Sequence, residues 1–536
     1  MSESHNCNNP RRTFFMCIHA ILCLVCREAP AFAQTSPPVT WTAAWALSPE
    51  QGGSSSDFET VTLRQAVLPS ISGTAARVRI SNLFGDQPLR ISDVHFAQSQ
   101  GTGPSIVAGT DVRVTFGGMA SITIAAGAEA TSDTINVAIT ARNEYAVSMF
   151  LPGAAPIDHV TFHQDGFENV WIAAGDVSGA TEINSTNGAQ SVFFLTNLDV
   201  QNPKSSGALV ALGASITDGD KSAFQANNRW TDLLAGRLAQ AGLAVGVDNQ
   251  GIQGNQQDND GAGQSALHRF AHDVLGQANV AYVVYSDDVI NELGSSNPPP
   301  TADFLLRGYQ QMISQAHEAG VRFICSTLTP FAGDASWTPA QEVVREQVNT
   351  AITTTDMCDG VIDFASAVAD PNNPAFMLAA FNVNPDGSPG DDLHPNVAGH
   401  QAMANAINLG LFTANGVPPV SGPTRTDTLS LGQSLTPEQT LTSADGRFVL
   451  TLQSSGALTI KEGPTTLYNG GGSGIPSALM LEQDGNVIEF DTSGNILFQT
   501  NTSGQGGENL VMQNDGNLVL YTAASKPVFA TNTCCH

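Results

Sequence analysis

From about Gly207 the chain changes rhythm, and short strand-like runs give way to a regular alternation of apolar runs and helical stretches. The apolar runs predict strands at 208–213, 244–249, 280–286, 322–327 and 360–364, and the stretches between them predict helices near 228–242, 302–319, 338–354 and 396–412. Strands alternating with helical crossovers predict a parallel, doubly wound α/β sheet. In the 2-1-3-4-5 order such a sheet binds its ligand between the first and third strands. The first run, Ala208 to Leu212, is unbroken and fits a strand buried on both faces. It stops at Gly213, and Ser215 follows at the carboxyl end, between two glycines, Gly213 and Gly219, that permit a sharp turn. Asn291 follows the third strand, so topology brings it toward Ser215.

A second constellation, Gly390 to Gly399, places Asp391 three residues before His394 on a turn ahead of a helix. That spacing lets the carboxylate hold one imidazole nitrogen while the other faces a serine, which completes a Ser-His-Asp arrangement of Ser215, His394 and Asp391. The blocks Gly213-Ala214-Ser215-Ile216 and Asp391-Asp392-Leu393-His394 resemble the first and last motifs of the SGNH (GDSL-type) hydrolases. Asn249 to Asn255 resembles the second motif, and Val289 to Gly294 a degraded third. The resemblance implies a flavodoxin-like serine esterase domain over 204–412, with an oxyanion hole formed by the N–H groups of Ser215 and Gly254 and the amide of Asn291. Two departures stand out: Ala214 replaces a supportive aspartate, and Ser286 to Val289 replaces a glycine-containing approach, adding Asp287 and Asp288 near the developing oxyanion.

Residues 40–203 carry β-rich runs between Gly/Ser/Asn turns: 61–67, 76–80, 112–116, 121–124, 135–139 and 145–150. This pattern predicts a β-sandwich. Trp41 to Trp45 and Leu63-Arg64-Gln65 resemble the β-domain that precedes the hydrolase in one bacterial branch of the superfamily. The tryptophans are open to two readings, core packing and a platform for sugar. His268 and His272 are spaced to share a helix face, without a third metal ligand. Thr327 to Pro330 is expected at the pocket rim, and Asp363 and Asp370 as loop caps.

A Pro/Gly/Thr-rich stretch, 413–426, reads as a linker, and beyond it 427–536 repeats itself at about 30 residues, which predicts three β units arranged as a prism. The last unit, Gln513, Asp515, Asn517, Val519 and Tyr521, resembles the signature of bulb-type mannose-binding lectins. The resemblance implies a mannose-type sugar site on those five residues. Alternate residues of a strand project from one face, which is why the signature has period two. The second unit keeps Asp484 and Asn486 but ends in Glu482 and Phe490; the first, with Ser455, Ala457 and Lys461, has lost the pattern.

The whole is therefore read as a multidomain chain of β-sandwich, α/β hydrolase and β-prism. The formal charge of −28 argues against nucleic acid as a partner. Arg11 and Arg12, the apolar run 14–25 and Ala31-Phe32-Ala33 fit a cleaved export signal over 1–33, which places the mature protein outside the cytoplasm or cell, with no membrane span. Four cysteines remain after it; Cys325 and Cys358 are positioned to pair, and Cys534 and Cys535 adjoin at the end. No cofactor or metal is expected. The expected substrate is an ester-bearing small molecule or an acylated glycan. Two alternatives stay open: a sugar-binding adhesion protein with an inactive hydrolase domain, and a broad short-chain carboxylesterase or lipase.

Overall fold

The structure is a computed structural model. It describes residues 40–53, 58–153, 159–187, 190–355, 357–413, 427–437, 439–443, 445–482, 484–491 and 495–534. The expected export signal, the expected linker beyond 413 and Cys535 lie outside the described residues.

Five parallel strands, Gly207–Gly213, Val245–Gly251, Val280–Tyr285, Arg322–Ser326 and Gly360–Ile362, form one sheet. Their spatial order runs second, first, third, fourth, fifth. The first strand lies between the second and third, and Leu212 pairs with both Gln250 and Tyr285. That central position explains its apolar composition, since Ala208 through Leu212 have no exposure at all. The helices Trp230–Gln240, Ala302–Glu318, Pro339–Thr354 and Val397–Ala406 begin where the sequence supplies caps. Thr301 accepts from the Phe304 N–H, Thr338 from Gln341, and Asn396 from Ala398 and Gly399. On the first helix Trp230, Leu234 and Leu238 are buried and Leu233 only partly so. Trp230 packs edge-on against Phe364, 5.2 Å between ring centres. Cys325 and Cys358 form a disulfide.

One element departs from its period. Ala266–Arg269 is a single α-helical turn that continues as a π-helix, Phe270–Leu275. His268 pairs with Asp260, while His272 lies between Asp273 and Glu129.

The β-rich part contains a four-stranded antiparallel sheet ordered Trp41–Ala46, Leu195–Gln201, Ala76–Asn82, Ala128–Thr131. A six-stranded sheet includes Val170–Ala174, Val61–Val67, Tyr145–Leu151 and Asp93–Gln98. Val78, Ile80, Leu198 and Val200 of the first sheet share a core with Leu63, Val94, Phe96, Val147 and Met149 of the second. The run 135–139 makes only isolated bridges, at Ile135 and Ile139, and is not a strand. Trp45 packs against the core and Trp41 lies 4.7 Å from the Arg77 guanidinium, so both are occupied in packing. Arg64 is buried and donates to Ser148 and to the Pro104, Ser178 and Ala180 carbonyls, tying loops to the sheet. The β-rich part adjoins the parallel sheet directly. The Ala43 N–H donates to the Ala278 carbonyl at 2.9 Å, and a Cβ on Gly246 would lie 2.0 Å from the Ala43 oxygen.

Beyond residue 427 stand three four-stranded antiparallel sheets, each taking one short strand from 428–442 and three from one repeat. Leu429, Leu435, Leu441, Leu450, Leu458, Leu479, Leu481, Leu510, Leu518 and Leu520 converge on a common core. The repeat spacing thus corresponds to one sheet per unit. Among the described residues, no helix is long and apolar enough to cross a membrane.

Candidate functional site

The strand Gly207–Gly213 ends in a single helical turn, Ser215–Asp218. Gly213 is required by a close approach: a Cβ there would sit 2.3 Å from the Thr217 hydroxyl and 2.5 Å from Asp287. The Ser215 Oγ faces His394 Nε2 at 2.8 Å, and His394 Nδ1 faces Asp391 Oδ2 at 3.0 Å. Asp391 is held in turn, since its other oxygen accepts from the backbone N–H groups of His394 at 2.9 Å and Leu393 at 3.1 Å. Asn396 anchors the segment, donating to the Ala380 and Val383 carbonyls, and the Asp392 N–H donates to Asn382.

The electrostatics follow from these contacts. Burial alone would raise the Asp391 carboxyl, but the hydrogen bonds from the His394 ring and backbone hold it well below the usual carboxylate range. Burial alone would lower His394; Asp391, Asp220 and Asp287 outweigh it and raise the imidazole above its ordinary value. In the neutral ring the Asp391 carboxylate, which only accepts, requires the proton on Nδ1, and Nε2 is left to accept from the serine.

The third strand contributes differently from the sequence expectation. Asp287, directly after it, accepts from the Ile216 N–H at 2.8 Å and the Thr217 hydroxyl at 2.5 Å. The carboxylate therefore braces the serine turn, and a disturbing charge becomes a bound acceptor. Asp288 turns away to a fully buried position 3.6 Å from Arg269, where burial pushes its carboxyl up to about 7. Asn291 lies a turn into the helix Asp288–Gly294 and donates to the Asn255 carbonyl at 2.9 Å. This puts Asn291 against the loop carrying Gly254, whose backbone has φ +71° and whose position is exposed. That loop is fixed to the serine turn where the Ile252 N–H donates to the Gly213 carbonyl at 3.1 Å. Val289 is buried in the core, and Thr327 is buried too, donating to Asp363 and not lining a rim. Asp363 caps the helix Phe364–Val368, and Asp370 accepts from the Asn372 N–H within its own turn.

Three polar residues of the site escaped the sequence reading. Asp220 Oδ2 lies 3.6 Å from His394 Nδ1, close behind Asp391. His400, buried on the last helix, donates to the Asp220 carbonyl at 3.0 Å. Lys221 reaches Asp391 at 3.3 Å. The pair Asp220-Lys221 follows the serine closely in sequence, but nothing in its spacing announces a contact with residues 391–394.

In the last repeat, the side-chain amide of Gln513 donates to the Tyr521 hydroxyl at 2.9 Å and Asp515 accepts from the Asn517 N–H at 3.0 Å. The five signature residues are thus gathered on one turn and strand, with Val519 buried and Asp515 exposed. The Asn517 oxygen accepts from Thr531 at 3.1 Å and from the Thr533 N–H at 3.2 Å. Asn486 of the second repeat repeats the pattern with Thr500 and Thr502, both at 2.9 Å. This asparagine therefore has a folding role in both units. The second repeat faces the α/β region: Arg307 pairs with Glu482 at 3.3 Å and lies 5.5 Å from the centre of the Phe490 ring. The positions that lost the lectin pattern are an internal contact.

Known proteins resemble the chain in parts. No curated protein matches it. A solved lectin from Marasmius oreades is 31% identical, covering 20% of this chain and 91% of its own, with a TM-score of 0.19. A G-D-S-L family protein from Desulfitobacterium hafniense is 20% identical, covering 37% of this chain and 96% of its own, at a TM-score of 0.28. A family two carbohydrate esterase from Clostridium thermocellum, solved with cellohexaose, is 14% identical over 69% of this chain and 93% of its own, at 0.29. The model of the GDSL-like Lipase/Acylhydrolase family matches residues 211–402, a span that holds Ser215, Asp391 and His394.

Proposed function

We propose that the protein is an exported serine esterase that hydrolyses short acyl or O-acetyl esters on glycans and binds mannose-type sugar through its last repeat. The observation that carries the reading is the continuous relay from Ser215 Oγ to His394 at 2.8 Å and on to Asp391 at 3.0 Å. Ser215 attacks the ester carbonyl as His394 Nε2 takes its proton. The imidazolium is stabilised by Asp391 and returns the proton to the leaving alcohol. Water then repeats the cycle on the acyl-enzyme and releases the acid. The Ser215 and Gly254 N–H groups and the Asn291 amide are the donors for the oxyanion, each worth about 3 kcal/mol of transition-state stabilisation. The β-rich part is a β-sandwich and the three sheets beyond residue 427 a β-prism in this reading. Sugar contacts at Gln513, Asp515, Asn517 and Tyr521, with Val519 beneath, would hold the enzyme on glycan. One intact site binds weakly, as no second site adds avidity.

Hydrolysis of p-nitrophenyl acetate, butyrate and octanoate, and of an acetylated polysaccharide, tests the reading. Turnover lost in Ser215→Ala is expected, strongest with acetate. Octanoate preference would turn the reading to a lipase. No turnover above Ser215→Ala on any substrate would leave a sugar-binding protein with an inert hydrolase region.

A further inference from the structure

The serine turn is clamped from several sides. Asp287 holds Ile216 and Thr217, and the Asn249 amide donates to the Thr217 carbonyl at 2.7 Å. Arg269, buried, donates to the Gly213 carbonyl at 3.0 Å. These groups all belong to the α/β region. One clamp does not. Asp218, the last residue of the turn, receives His163 Nε2 at 3.1 Å on Oδ1, and His163 stands on the strand Val160–His163 of the β-rich part. His163 and Asp218 are both fully buried.

The ring's other nitrogen fixes its protonation. Nδ1 lies 3.0 Å from the Ser48 carbonyl, which can only accept, so Nδ1 carries hydrogen. Nε2 then faces a carboxylate oxygen, and that contact needs a proton as well. Burial opposes a charged ring, yet Asp218 and Glu50, at 3.3 Å, outweigh it and push His163 up to about 9. Ser48 extends the link, since its hydroxyl accepts from Arg269 at 2.8 Å. The β-rich part thus reaches both ends of the serine turn.

We propose that His163 is a positioning residue for Ser215, so that the β-rich N-terminal part is a component of the catalytic unit and not an appended module. The proposal rests on the esterase reading. Within the turn the Asp218 N–H donates to Ala214 and the Gly219 N–H to Ser215, both at 2.8 Å, so a shift of Asp218 carries Ser215 with it. A misplacement of about 1 Å at a nucleophile costs up to about 100-fold in rate. The charged groups acting on the pair are Glu50 on His163 and Arg229 and Asp165 on Asp218, while Arg269 acts on Glu50.

The test compares His163→Ala, Asp218→Asn and the double variant with the full-length enzyme on p-nitrophenyl acetate, measuring kcat, KM and Tm. His163→Ala is expected to lower kcat 10- to 100-fold with KM within about twofold, and added imidazole should restore part of kcat. The double variant, freed of an unpaired buried carboxylate, should regain Tm and keep the low kcat. If wild type is active and His163→Ala retains kcat within twofold while Tm falls, His163 is merely structural and the proposal is overturned. Recovery of kcat together with Tm in the double variant would overturn it equally. Absence of turnover in wild type itself would instead remove the esterase reading, and this proposal with it.

Discussion

The two carboxylates behind His394 make a prediction about sharing. Asp391 Oδ2 is 3.0 Å from Nδ1 and Asp220 Oδ2 is 3.6 Å away. Coulomb attraction falls as the inverse of distance, so Asp220 offers the imidazolium about five-sixths of the attraction of Asp391 in the same medium. It does not offer a hydrogen bond, since 3.6 Å is too long for one. Removing Asp391 should therefore cost orientation more than charge. Asp391→Ala is expected to lower kcat about 100-fold, Asp220→Ala about 10-fold, and the double variant about 10⁴-fold, the full value of a lost triad acid. The double loss exceeds the product of the single losses by about tenfold, a coupling of about 1.4 kcal/mol. Steady-state kinetics of the four proteins on p-nitrophenyl acetate measure the cycle. The reasoning is refuted if Asp391→Ala alone reaches the full loss and Asp220→Ala is neutral.

The pH profile should be bell-shaped. His394 is raised above 6.5 and must be neutral to act, so activity should fall as pH drops through a value above 6.5, and Asp220→Asn should move that limb down. His163, raised to about 9, contributes its full stability below pH 6.5 and loses it as pH rises through about 9. That rise in midpoint corresponds to about 3 kcal/mol, so urea midpoints should decline between pH 7 and 10 in wild type and much less in His163→Ala. The disulfide closes a separation of 33 residues, and Cys325→Ala with Cys358→Ala should lose about 3 to 4 kcal/mol in denaturant unfolding; an unchanged midpoint would refute this. Asp515→Ala should abolish methyl mannoside binding by calorimetry. Glu482→Gln with Phe490→Tyr should not create a second site, because Arg307 occupies it.

What the sequence disclosed was what it held locally. The strand, glycine and serine at 208–215 and the pair Asp391 and His394 are short motifs; the alternation of strand and helix was enough for a parallel sheet, and the flavodoxin-like resemblance supplied the order that brings them together. Asp287 and His163 were invisible for the opposite reason. Their bonds to the serine turn span 71 and 55 residues, and the second crosses from one fold type to another. Asp287 was read as stray charge because its acceptor role depends on N–H and hydroxyl groups that only the folded turn presents. The partners of His268 and His272, Asp260 for the first and Asp273 with Glu129 for the second, include a contact across 143 residues that their spacing could not announce. The lectin signature was legible at Gln513 to Tyr521, whereas the folding role of Asn517 required seeing Thr531 and Thr533 brought beside it.

Covalent titration of Ser215 tests the central claim most directly. Incubation with a fluorophosphonate, followed by intact-mass and peptide mapping, should show one equivalent bound at Ser215 in step with loss of esterase activity, and none in Ser215→Ala. A protein that takes up no label, or takes it up equally in Ser215→Ala, would contradict the serine relay.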